Sequence, residues 1–282
     1  MSVQVEPMRP VFGHAETAEF TERLDSAIQR RQLPGSPSGD ATRWEMGVPG
    51  EWLSDLLGAW RRFDVAAFQD RLDALHHLRV SIDGLDLHVI QARGHGPAPV
   101  PLLLTHGWPG SCLEYLDLIA PLTDPTAHGG HPRNAFDVII PSLPGYGWSA
   151  PPPYGGHTAA QVALLWHRLM TEGLGYRRYA AHGSDLGAGV TAWLARSYPE
   201  AVLGIHLASP GLPRPPQPWS PRERLHFDEV ERWNAEEGGY AHQHATKPAT
   251  LAAAPPRLPR RPRRVDRRED RCMEQPAPVR RA

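Results

Sequence analysis

The sequence predicts an α/β protein: a doubly wound, mostly parallel sheet preceded by an N-terminal helical extension. Three observations carry this expectation. From residue 100 onward, short apolar runs of strand length alternate with segments of helical period. Each run ends in a cluster of small or polar residues, at the strand ends where open α/β sheets hold their ligands. With 40% apolar residues and nine Trp in 282 residues, the chain can build a sizeable core.

In chain order, Phe20, Leu24 and Ile28 share one helical face, and the breaker Leu33-Pro34-Gly35 ends that helix. Pro49-Gly50 opens a second amphipathic stretch through Trp52, Leu53, Leu56, Leu57 and Trp60. The first 70 residues are thus expected to be helical and connecting. From residue 78 the period falls to two. Leu78 to Ile82 and Leu85 to Ile90 alternate about Asp83-Gly84, which predicts a hairpin. Val100–Leu104, Phe136–Ile140, Tyr179–His182 and Val202–Leu207 are the remaining strands, six in all. Helical patterns at 114–122, 158–174 and 188–198 lie between them and imply parallel crossover units.

Charge divides the chain. Of 30 basic and 31 acidic residues, ten Arg and four acids fall within 252–282; this tail carries +6 and the remainder, 20 against 27, carries −7. The tail also has six Pro and no aromatic residue, so it is expected to be disordered. The opening MSVQVEPMRP lacks a basic and apolar leader, and no run approaches 18 apolar residues. Two cysteines, Cys112 and Cys272, form no disulfide framework. The expectation is a cytoplasmic protein with no membrane span.

The strongest chemical signal is Gly183-Ser184-Asp185-Leu186-Gly187 between a strand and a helix. Small residues two before and two after a central nucleophile permit the sharp turn that lifts its side chain above the sheet. Here that residue is Asp185. A carboxylate nucleophile suits attack on saturated carbon, opening a strained ring or displacing halide and leaving an ester. The alternative is a glycine-rich turn in which Asp185 merely caps the helix. Thr105-His106-Gly107-Trp108-Pro109-Gly110, after the third strand, stands where such sheets build an oxyanion hole, with the N–H groups of Trp108 and Leu186 as its donors.

His106–Gly110, Pro141-Ser142-Leu143-Pro144-Gly145-Tyr146-Gly147-Trp148-Ser149 and the Gly183–Gly187 turn together resemble epoxide hydrolases of the α/β-hydrolase fold. The resemblance is to the microsomal-type branch, which has an N-terminal extension like residues 8–75 with its Gly47-Val48-Pro49 approach. It also has a lid that begins like Glu237-Gly238-Gly239-Tyr240-Ala241-His242. The likeness runs from about residue 5 to residue 251. It implies Asp185 as nucleophile, Tyr240 as a lid proton donor to the leaving oxygen, Trp108 and Trp148 as pocket walls, and a cis Trp108–Pro109 bond. It implies a small-molecule epoxide as substrate, a vicinal diol as product and no cofactor. Leu186 and Trp108 depart from haloalkane dehalogenases, which share the Asp turn.

The family mechanism also needs a His, oriented by an acid, to deprotonate the water that cleaves the ester. After Asp185 the histidines are His206, His226, His242 and His244, inside a strand run or the lid, and residues 208–222 contain no Asp or Glu. The catalytic His and acid are therefore expected to be missing, and the chain to be an impaired enzyme or a non-catalytic fragment. The expected division is 1–75 helical extension, 76–214 hydrolase core with six strands, 215–251 start of the lid and 252–282 tail. One Lys against 29 Arg fits a GC-rich gene, and a shifted frame in such a gene yields Arg, Pro and Ala, so the tail is expected to be out of frame. The core, lacking its last strands, is expected to expose an apolar edge.

Two other functions are set aside. The tail's Arg block lacks the aromatics that stack bases, and the body is acidic, so no nucleic-acid binding is expected. Among fifteen His, the pairs 76/77, 128/131 and 242/244 have no Cys or carboxylate partner at zinc spacing, so no metal is expected. The oligomeric state is left open.

Overall fold

Apolar residues on both sides of the inner strands make that part of the sheet a buried middle layer. A computed structural model describes residues 3–29, 44, 47–152, 157–209, 211 and 215–252. The predicted helix stop at 33–35, and the tail from residue 253, lie outside the described residues. Two compact units emerge: residues 1–17 with 63–214, and residues 18–62 with 215–282.

The first unit is built on seven strands: β1 (Val3–Pro7), β2 (His76–Ile82), β3 (Leu85–Ala92), β4 (Val100–Thr105), β5 (Phe136–Pro141), β6 (Tyr179–Ser184) and β7 (Val202–Ala208). Their order is β1-β2-β3-β5-β4-β6-β7. The first three join in antiparallel fashion, β3 meets β5 antiparallel, and β5, β4, β6 and β7 run parallel. This is the α/β-hydrolase fold. β1 corrects the expectation that the first 70 residues are helical and connecting. Val3 and Val5 alternate with Gln4 and Glu6, and the strand pairs along β2 from Val3 opposite Ile82 to Pro7 opposite Leu78. Asp83 and Gly84 both have positive φ, 51° and 84°, as the two-residue hairpin between β2 and β3 requires.

Successive residues of one strand enter opposite cores. Leu103 and Ile139 pack with Val80, Leu87, Trp166, Met170 and Leu194 on one face. Leu104, Val138 and Ile140 pack with Leu72, Tyr115, Leu116 and Ile119 on the other. The helices of this unit supply the outer layers: α3 (Val65–Asp73), α4 (Leu116–Thr123), α5 (Ala159–Arg168) and α6 (Leu186–Ser197). Thr158 and Gln161 form a capping box that starts α5. The helix widens to a π turn over Leu169–Gly173, burying Leu169 and Met170. β7 is the last strand of the sheet, and its Leu203 and Ile205 are 46% and 43% exposed.

The second unit is helical. It holds most of α1 (His14–Gln29), α2 (Gly50–Arg61), α7 (Pro221–Glu236), α8 (Gly239–Thr246) and α9 (Pro248–Ala252). Within it Phe20 packs on Trp60, and Arg61 Nε donates to Asp25 at 2.6 Å. Ser220 caps α7 reciprocally with Glu223, and Pro221 occupies the first turn.

Candidate active site

The turn between β6 and α6 is tight enough to dictate its own sequence. A Cβ on Gly183 would run into the Gly187 carbonyl, and a Cβ on Gly187 into the Thr105 carbonyl of β4. Only glycine lets α6 start this close to the sheet. The chain reverses at Asp185, which adopts φ 52° and ψ −118°. For a residue with a Cβ, positive φ of this kind is costly and is held in place by its surroundings. Here Asp185 N–H donates to Ala208 O at 3.3 Å, and Asp185 O accepts from Ala188 N–H at 3.0 Å.

What the Asp185 side chain does separates the two readings of this turn. It makes no capping hydrogen bond to α6. Its Oδ1 instead accepts the backbone N–H of Trp108 at 2.9 Å. That N–H comes from the loop after β4, where the Trp108–Pro109 peptide is cis as expected. Gly107 allows the approach, because a Cβ there would lie 2.5 Å from Asp185 Cβ and 2.6 Å from Oδ1. Leu186 is the first residue of α6, so its N–H belongs to the positive end of that helix. The structure thus brings Asp185, Trp108 and Leu186 together.

His106 is buried in the same loop and is a structural group. Its Nδ1 donates to Gly107 O at 3.0 Å and its Nε2 accepts from Leu143 N–H at 3.1 Å. Both bonds demand one neutral tautomer, and burial pushes its pKa down accordingly. Tyr115 supports the end of β4 by donating its hydroxyl to Thr105 O at 2.9 Å, and burial raises its pKa to about 12.

The other expected residues are more scattered. Trp148 is half-buried between Phe12 and His88, at ring distances of 5.7 and 5.1 Å, and its Nε1 donates to Val11 O at 3.4 Å. Tyr146, from the same loop, was passed over in the sequence. Its ring meets His106 edge-on at 5.2 Å, and its phenol pKa is raised by burial and then by the charge of Asp185. Tyr240 belongs to the second unit, on α8, where its ring meets Trp233 at 6.4 Å. Of the histidines after Asp185, His206 lies on β7 with Nδ1 at 2.8 Å from His182 Nδ1. His226 is on α7, and His242 and His244 are on α8. Among the described residues, no group of three or more His, Cys, Asp or Glu is placed to hold a metal, and no helix is long and apolar enough to cross a membrane.

Comparison with known proteins decides the family. A family model described as epoxide hydrolase N terminus matches residues 5–115, and one for the alpha/beta hydrolase fold matches residues 100–235. A Stigmatella aurantiaca protein bearing an epoxide hydrolase name is 41% identical over 215 residues, covering 75% of this chain and 49% of that protein. Epoxide hydrolase 1 of Oryctolagus cuniculus is 34% identical over 212 residues, covering 73% of this chain and 46% of its own. The chain belongs to the epoxide hydrolases of the α/β-hydrolase fold.

The crystal structure of juvenile hormone epoxide hydrolase from Bombyx mori superposes with a TM-score of 0.69 at 28% identity, covering 89% of this epoxide hydrolase chain and 59% of the silkworm chain. The chain spans about half the length of the curated relatives it matches.

Proposed function

We propose that this chain opens small-molecule epoxides by forming an ester on Asp185, and that the ester then persists. The single observation that carries the proposal is the 2.9 Å bond from Trp108 N–H to Asp185 Oδ1 on a residue held at positive φ. That bond fixes one carboxylate oxygen and leaves Oδ2 as the attacking atom. Oδ2 forms a bond to a ring carbon while that carbon's bond to the epoxide oxygen breaks, and the electron pair moves to oxygen. A proton neutralises the new alkoxide, a delivery that the likeness to the family assigns to the Tyr240 hydroxyl. The product is a hydroxyalkyl ester of Asp185 with Oδ1 as its carbonyl oxygen. In a complete cycle, water adds to that carbonyl, the negative charge develops on Oδ1, and the Trp108 and Leu186 N–H groups receive it.

Release of the diol needs a base for that water. His206, the one later histidine in the same unit as Asp185, shares its Nδ1 with His182 on the neighbouring strand. His226 lies on α7, and His242 and His244 lie on α8, in the second unit. With His206 engaged by His182, we propose that the first half-reaction outruns the second. Styrene oxide is a suitable probe, because its mass is retained in the ester and lost on hydrolysis. Asp185→Asn, which keeps the shape and removes the nucleophile, is expected to abolish labelling. Labelling of that variant to the same extent as wild type would overturn the assignment.

A further inference from the structure

Behind the active-site loops lies a line of buried histidines whose protons can run in only one direction. It starts at the Leu72 carbonyl, at the end of α3, which can only accept. His77 Nε2 therefore carries the proton that reaches it at 2.8 Å. The His77 Nδ1 lone pair then accepts from His88 Nε2–H at 2.9 Å. His88 Nδ1, left without a proton, accepts the Ser142 hydroxyl at 2.9 Å. His88 and Ser142 have no exposed surface. Burial lowers His77 and takes His88 to about 3, so both rings are neutral near pH 7 and the direction is fixed.

Main-chain bonds lock the same junction. Ser142 N–H donates to His88 O at 2.9 Å, His88 N–H donates to Ser149 Oγ at 3.0 Å, and Ser149 Oγ donates to Ser142 O at 2.8 Å. One residue on, Leu143 N–H holds His106 Nε2, and His106 Nδ1 holds Gly107 O. The next N–H after Gly107 is the one on Asp185. Hydrogen bonds and two peptide steps thus join Leu72 to the carboxylate without a gap.

We propose that His88, backed by His77, is a positioning residue: through Ser142, Leu143 and His106 it holds the Trp108 N–H against Asp185 and so orients the carboxylate for attack. The proposal rests on Asp185 being the nucleophile, and its first readout does not. Ser142→Ala removes only the hydroxyl, and His88→Leu removes both ring nitrogens. His88→Asn keeps an acceptor near the position of Nδ1. Thr123→Val deletes another buried hydroxyl, one bonded to Ile119 O in α4 and off this line, and serves as the control.

Hydrogen exchange at the Trp108 amide, read by NMR, should quicken about tenfold in Ser142→Ala and His88→Leu and stay near wild type in His88→Asn and Thr123→Val. Labelling of Asp185 by styrene oxide should slow about tenfold at saturation in the same two variants, with the half-saturating concentration unchanged. Should either variant fail to fold, the other carries both readouts. Trp108 exchange in these variants equal to that of Thr123→Val would overturn the proposal. If wild type takes no label, the ester reading fails, and the amide exchange still decides the positioning role.

Discussion

Gly107→Ala perturbs the nucleophile and little else. Gly107 has no positive φ, so alanine brings no backbone strain. Its Cβ would stand 2.5 Å from Asp185 Cβ, whereas ordinary contact begins near 3.4 Å, so the loop and Asp185 must separate by about 1 Å. Two consequences compete. Loss of the Trp108 N–H bond leaves the carboxylate less well oriented and costs about tenfold, as expected for Ser142→Ala. Displacement of the attacking oxygen acts on the transition state, and ~1 Å of misplacement costs roughly 100-fold in rate. Displacement dominates. Overpacking costs about 1–3 kcal/mol, a fall in Tm of several degrees for a unit of this size. The assay is single-turnover labelling with styrene oxide followed by intact mass, alongside thermal unfolding. A wild-type labelling rate in Gly107→Ala would refute the reasoning, because it would mean that the close packing of Gly107 on Asp185 does not set the attack geometry.

Gly187→Ala should instead be a folding mutant. Its Cβ meets backbone, the Thr105 carbonyl, which cannot swing aside, so a loss of about 3 kcal/mol or more is expected in urea unfolding. Acid should unfold the first unit through His88. Its pKa is about 3 when folded against 6.5 unfolded, so the unfolded chain takes up the proton first. The associated stability is fully present above pH ~6.5 and is lost as pH falls toward ~3, on the order of 5 kcal/mol in total. Urea titrations at stepped pH check this, and His88→Leu should flatten the dependence in that window.

Much of the fold was legible because the strands are short and doubly buried. Leu103 and Leu104, or Ile139 and Ile140, serve opposite cores, so each reads as a continuous apolar run. β1 was missed although Val3-Gln4-Val5-Glu6 alternates, because five residues before a helical stretch carry little weight until β2 is there to pair with them. α3 lies within the 1–75 stretch expected to be helical, but its own bounds were not legible. Its Asp64 cap, bonded to Ala67 N–H at 2.9 Å, and its Phe68 and Leu72 are a weak signal outside the context of the core.

The elbow and the Trp108 loop were legible because both depend on glycines whose Cβ positions are already occupied. Tyr146 was not, since in the sequence it is one more aromatic in a turn, and only the fold brings its phenol under the influence of Asp185. The His77–His88–Ser142 line was equally hidden. His77 and His88 face each other only through the β2–β3 register, and Ser142 is 54 residues away from His88.

The most direct measurement is intact mass of the folded protein after incubation with styrene oxide, followed by mapping of the labelled peptide. A gain of one epoxide mass, located on Asp185 and persisting for hours after the reagent is removed, is the expected result. Steady release of diol with no accumulated adduct, or a folded protein that gains no mass at all, would contradict it.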